Sequence, residues 1–168
     1  MNYTLACLGG IALLAATPAL AEGPSDAQIA HIAYTAGVID IAAAKQALAK
    51  SHSTPVRSFA REMVRDHQAV NDKALALVKK LHVTPAANPT STALSSQAAA
   101  TKHRLAKLHG AAFDSAYIKN EVAYHQTVND ALAKTLIPSA DNAELKALLE
   151  TGLTLFREHL AHAEHLAH

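Results

Sequence analysis

Five residues of this sequence combine a reactive side chain with a place in an otherwise apolar helical stripe: Asp40, His67, Glu121, His125 and His159. A neutral imidazole offers a nitrogen lone pair and a carboxylate offers charge-balancing oxygen. Together they suit a transition metal such as Zn, Cu, Fe or Mn. A second group is the terminal run HLAHAEHLAH, where His159, His162, His165 and His168 stand three residues apart. On a helix each such step turns by about 60°, so the row winds from core to surface. His162 and His165 could there chelate a metal weakly, as i,i+3 neighbours. The same five inward residues also have a reading without metal. Asp40 can pair with His67 and Glu121 with His159, because a buried polar group demands partners without choosing them.

Helices must position these groups. Thr54–Leu81 holds the clearest one, with Val56, Phe59, Met63, Val70, Ala74, Leu77 and Leu81 on one stripe at about 100° per residue. His67 lies within that stripe and Asp66 at its edge; Thr54 followed by Pro55 marks the start. Upstream, Ser25 with Gln28 resembles a capping box opening a helix to about Lys50, with Asp40 inside its face of Ile29, Ile32, Ala33, Ala36, Ile39, Ala43 and Ala47. The short break at Ser51–Ser53 requires these two helices to pack antiparallel. Val83–Ala93 reads as a loop, and Leu94–Leu108 as a short extra helix ending at Gly110. The next helix covers about Ala112–Leu136, with Glu121 near the centre of its buried side and Pro138 as its stop. Asp141 or Asn142 caps the last, whose stripe of Leu145, Leu149, Gly152, Phe156 and Ala163 includes His159.

Heights along the bundle follow from counting residues to the turns. Asp40 and His67 lie almost equally far from Ser53 and should sit side by side. Around Ser139, Glu121 and His159 differ by about 3 Å of rise, and His125 and His159 by about 9 Å. The groups should meet at mid-bundle. Phe59, Met63, Leu77, Phe113, Tyr117, Leu149 and Phe156 should form one core, with residues 83–111 crossing outside it.

The chain has 168 residues, half of them apolar, with no Trp and few Gly or Pro, which indicates an all-α domain with a sizeable core. A net charge of +1 with both signs interspersed leaves no footprint for nucleic acid. No GxxxxGK[ST] or GxGxxG loop is present, so nucleotide chemistry has no cradle. Residues 1–21, MNYTLACLGGIALLAATPALA, read as a signal peptide cleaved after Ala19-Leu20-Ala21. A single domain, 22–168, then follows, periplasmic or secreted, without cysteine and without a transmembrane segment.

Four helices in two short-linked pairs, joined by one long central crossover with a short extra helix, give a ferritin-like four-helix bundle. The chain resembles an exported, ferritin-like family often labelled outer-membrane or periplasmic proteins. The resemblance is carried by Asp40, Phe59-Ala60 with Met63, Asp66-His67, Leu105-x-x-Leu108-x-Gly110-x-x-Phe113-Asp114-x-x-Tyr117, Val122-x-x-His125, Leu145-Lys146 and His159. It spans about Asp26 to Leu166 and implies the fold, but no activity. A di-iron bundle needs Glu-x-x-His on each of two helices, and here Val64 and Phe156 stand three before His67 and His159. No nucleophile–base pair is apparent either, so the residues assign no enzymatic reaction. The expectation is an envelope protein with a mononuclear metal site of three histidines and one or two carboxylates. The alternative is a non-catalytic structural or stress-related envelope protein with a metal-free polar core.

Overall fold

The computed structural model describes residues 23–168. The expected signal peptide and its cleavage site lie outside the described residues. All regular structure among the described residues is helical. The elements are α1 (Asp26–Lys50), α2 (Thr54–Lys80), α3 (Pro89–Ala106), α4 (Gly110–Ala131) and α5 (Ala143–Ala167). Helix α4 continues through a π-helical turn, Leu132–Leu136, and a last α-turn, Ile137–Ser139.

The ends of these helices follow from local chemistry. Ser25 and Gln28 form the expected capping box at α1. At α2 the N-cap is Ser53, one residue earlier than expected, with Pro55 inside the first turn. Arg57 secures the α1–α2 turn by donating to the carbonyls of Leu48 and Ser51. Helix α3 starts five residues before the expected Leu94. Asn88 Oδ1 accepts from the Ser91 amide at 3.0 Å, the Ser91 hydroxyl accepts from the Asn88 amide at 3.1 Å, and Pro89 opens the first turn. The π turn falls just before Pro138, whose ring would crowd the Lys134 carbonyl in an unbroken α-helix. Asn142 caps α5, accepting from the amides of Glu144 and Leu145.

Side-chain bonds show how the helices run. Asn88 donates to Gln28, Gln46 to Lys102 and Lys50 to Ala106, so α3 lies along α1 in the same direction. It returns the chain to the end where α2 began. From there α4 runs antiparallel to α1, with Tyr124 donating to the Ala36 carbonyl at 2.8 Å. Helix α5 returns antiparallel to α2, as the pairs Lys80–Glu144 and Glu62–His162 require. By length and composition α1 could cross a bilayer. In this fold its apolar face packs against α2, α3 and α4.

The expectation of one continuous core gives way to two apolar clusters. One contains Ala44, Ala47, Phe59, Met63, Leu105, Phe113 and Tyr117. The other, at the opposite end, contains Ile29, Ile32, Leu132, Leu136, Leu145, Leu149 and Phe156, with Leu77 only partly buried beside it. Full burial of a side chain the size of Phe59 or Phe113 contributes about 1.5–3 kcal/mol. A mainly apolar cavity of about 530 Å³ lies in the second cluster, with Phe156 in its wall. The clusters are separate because α1, α2, α4 and α5 each interrupt their apolar stripe with a polar residue at mid-height.

Candidate metal centre

Asp40 from α1, His67 from α2, Glu121 and His125 from α4, and His159 from α5 meet in the layer between the clusters. None is more than 2% exposed. The three imidazoles form a nearly equilateral triangle, with ring centroids 5.7 Å (His67–His125), 5.4 Å (His67–His159) and 5.5 Å (His125–His159) apart. One ligand atom from each of the three lies within 4.8 Å of the others, as do atoms of Asp40, Glu121 and His125. His125 and His159 lie closer in height than counting from Ser139 suggests. The reason is that α5 begins only at Ala143, so the intervening residues add no helical rise.

Hydrogen bonds decide which imidazole nitrogens face the layer's interior. His125 Nδ1 lies 3.0 Å from the Glu121 carbonyl, an acceptor, so Nδ1–H donates and Nε2 keeps its lone pair. His159 Nε2–H donates to Asp66 Oδ2 at 3.1 Å, which leaves Nδ1 as the lone-pair nitrogen. Asp66 is itself gripped by Arg65 through two bonds of 2.6 and 2.8 Å. His67 is held by packing, its ring stacked on Phe156 at 4.6 Å and 14°. Both nitrogens of His67, Nε2 of His125, Nδ1 of His159, both Asp40 oxygens and Glu121 Oε2 are buried without a hydrogen-bond partner. Such orphaned atoms are rare in folded proteins and costly.

Asp40 Oδ2 stands 3.4 Å from His67 Nε2 and 3.5 Å from His125 Nε2. Those separations are long for a hydrogen bond. They match the edge of a coordination tetrahedron, because two donors each 2.0–2.1 Å from one ion lie about 3.4 Å apart.

Electrostatics point the same way. Burial, then mutual proximity, holds the His67 imidazole well below its usual pKa. Burial takes His125 down to about 4 and lowers His159 against the pull of Asp66. The rings are therefore neutral and their lone pairs available. Burial also pushes the Asp40 carboxyl up to about 7, although its contact with Glu121 draws it back. Burial and then the Asp40 charge raise Glu121 well above its ordinary value. These are two neighbouring carboxyls that cannot both ionise easily without a cation nearby.

Of the metal-free pairs anticipated from sequence, Asp40 does approach His67. Glu121, however, lies beside Asp40 and its own helix neighbour His125, with Nδ1–Oε2 3.7 Å, while His159 takes Asp66. Asp66 and Glu62 are the site-forming residues that sequence reasoning missed. The signal was present: Asp66 precedes His67 at the stripe's edge, and Glu62 stands one turn before it. His162 leaves the core layer and binds Glu62 through Nδ1 at 2.8 Å, edge-on to Phe59. His165 is exposed.

No curated protein and no solved structure matches the chain. The sequence profile of the DUF4142 domain, a domain of unknown function, matches residues 12–166, and the chain belongs to that family.

Proposed function

We propose that this protein is an exported, ferritin-like four-helix bundle that binds one divalent transition-metal ion in its polar layer. Asp40, His67, His125 and His159 serve as ligands, and Glu121 balances charge beside Asp40. The single observation that carries the reading is the pair of 3.4 and 3.5 Å separations from Asp40 Oδ2 to two imidazole nitrogens with no hydrogen-bond partner. The ferritin-like description is supported by two antiparallel helix pairs joined through one long crossover. Three nitrogen donors and a carboxylate suit Zn²⁺, Cu²⁺ or Fe²⁺. Asp66 and the Glu121 carbonyl orient His159 and His125, the role that outer carboxylates and carbonyls play around metal-bound histidines. The leader-like residues 1–21 support export, with the bacterial envelope, periplasmic or secreted, as the proposed location.

The test is thermal stability with and without Zn²⁺, Cu²⁺ or Fe²⁺, in the parent and in His67→Ala, both carrying His162→Gln, His165→Gln and His168→Gln so that the terminal histidines contribute nothing while the last helix stays whole. An ion that binds only the folded state adds about 2.7 kcal/mol at a hundredfold excess over its Kd. His67→Ala should abolish most of that gain. Equal stabilisation of the two proteins would instead favour a metal-free polar core, in which Asp40 and Glu121 share a proton and Asp66 satisfies His159.

A further inference from the structure

Outside the buried layer, a second set of donor groups lies on the far side of His159. Glu62 and Asp66 stand one turn apart on α2, and His159 and His162 stand three residues apart on the antiparallel α5. Donor atoms of Glu62, Asp66 and His159 lie within 4.8 Å of one another, and His162 Nδ1 is 2.8 Å from Glu62 Oε2. Side-chain exposure falls in steps along this row: 37% for His162, 30% for Glu62, 16% for Asp66 and 0% for His159. The row thus leads from solvent to a residue of the buried triangle. Its chemistry changes along the way, from mixed oxygen and nitrogen donors outside to mainly imidazole inside. Phe59 holds the His162 ring edge-on at 5.2 Å, so the outer imidazole is positioned rather than trailing in solvent. Arg65 binds Asp66, and with 70% of its side chain exposed it can swing away at little steric cost.

We propose that Glu62, Asp66 and His162 form an outer site that captures a divalent transition-metal ion from solvent on its way to the buried centre. The inference rests on the metal reading of that centre and adds a second, weaker site with a kinetic role. The site is weaker because its ligands are partly hydrated and because Arg65 competes for Asp66. On capture the ion displaces Arg65 from Asp66 and takes the place of the proton between His162 Nδ1 and Glu62; that proton passes to Nε2 of the same ring or to water, and His159 keeps its Nε2–H on Asp66.

Co²⁺ is the probe, and the protein is the full chain carrying His165→Gln and His168→Gln so that the last histidines contribute nothing. Equilibrium dialysis gives the number of ions bound. Stopped-flow absorption in the cobalt d–d region gives the rate at which the buried site fills. The parent should bind two equivalents. Glu62→Gln combined with His162→Gln should lose the weaker one and fill the stronger at least tenfold more slowly, with the same final spectrum. His67→Ala should lose the stronger and keep the weaker. A parent that binds a single equivalent, removed by His67→Ala alone, would overturn the outer site and leave the buried centre standing. Unchanged filling in the double variant would likewise overturn the capture role. If His67→Ala removed no ion, the buried centre would fail, and the capture role with it.

Discussion

Asp66→Ala separates a metal centre from a merely polar core, because Asp66 is not itself a proposed ligand of the buried ion. It holds His159 through Nε2–H at 3.1 Å and is anchored by Arg65. Loss of a carboxylate that orients a metal-bound histidine typically costs 10–100-fold in affinity, about 1.4–2.7 kcal/mol. At an ion concentration one hundred times the parent Kd, the parent gains about 2.7 kcal/mol. The variant, with Kd raised 10–100-fold, gains only about 1.4 to 0.4 kcal/mol. For a domain of this size each kcal/mol moves Tm by about 3 °C, so a parent shift of about 8 °C should shrink to about 1–4 °C. The metal-free variant will itself be weaker, because a buried N–H without an acceptor costs about 1–3 kcal/mol. The quantity compared is therefore each protein's own metal-induced shift, followed by scanning calorimetry with Zn²⁺ in a Glu62→Gln, His162→Gln background so that the outer site adds nothing. Asp66→Asn keeps an acceptor oxygen and should fall between parent and Asp66→Ala. An undiminished shift in Asp66→Ala would refute the argument that His159 is aimed at an ion by Asp66.

The metal-free protein should lose stability as pH rises from about 6.5 through about 7, measured as the urea midpoint. Depressed imidazoles penalise folding only below their unfolded pKa of about 6.5, whereas Asp40, raised to about 7, and Glu121, raised well above its ordinary value, cost the folded state stability as pH climbs from their unfolded values to their folded ones. Saturating Zn²⁺ should reverse this slope, and rising metal-free stability over that range would contradict the carboxyl assignment. Gly37→Ala should destabilise by about 1–2 kcal/mol in urea melts despite alanine's better helix propensity, because overpacking outweighs it. The new Cβ would clash with Oδ1 of the buried Asn71, whose polar amide would have to turn into the mainly apolar cavity beside it. Protein recovered from its host should begin at Glu22 by mass spectrometry; a chain retaining residues 1–21 would remove the export argument.

The inward placement of Asp40, His67, Glu121, His125 and His159 was readable because each interrupts an apolar stripe of period 3.6. The match in height of Asp40 and His67 was readable because the turn between their helices is short. Other features depended on information that periodicity does not carry. Asp66 sits at the margin of its stripe, where a rotation of a few tens of degrees decides between solvent and His159. The start of α3 was hidden by loop-like composition, although Asn88-Pro89-Thr90-Ser91 contains a complete cap and first turn. The π turn before Pro138 and the late start of α5 shift the height of α4 against α5, and neither leaves a hydrophobic signature. Division of the core into two clusters was implicit in the five polar positions, yet it follows only once their common height is known.

The polar layer also bears on how this chain avoids sliding past itself. The buried face of α1 is largely alanine and isoleucine, with Ala30, Ala36, Ala44 and Ala47 packed against neighbouring helices. Small, similar side chains mesh almost as well after a shift of one helical turn, about 5.4 Å. Apolar packing alone would therefore leave several alignments close in energy. A one-turn slip of α1 would carry Asp40 away from His67 and His125 and into one of the apolar clusters, where a carboxyl has no partner. The same applies to His67 on α2 and His159 on α5. The layer acts as an index mark common to four helices, trading some apolar burial for a single alignment.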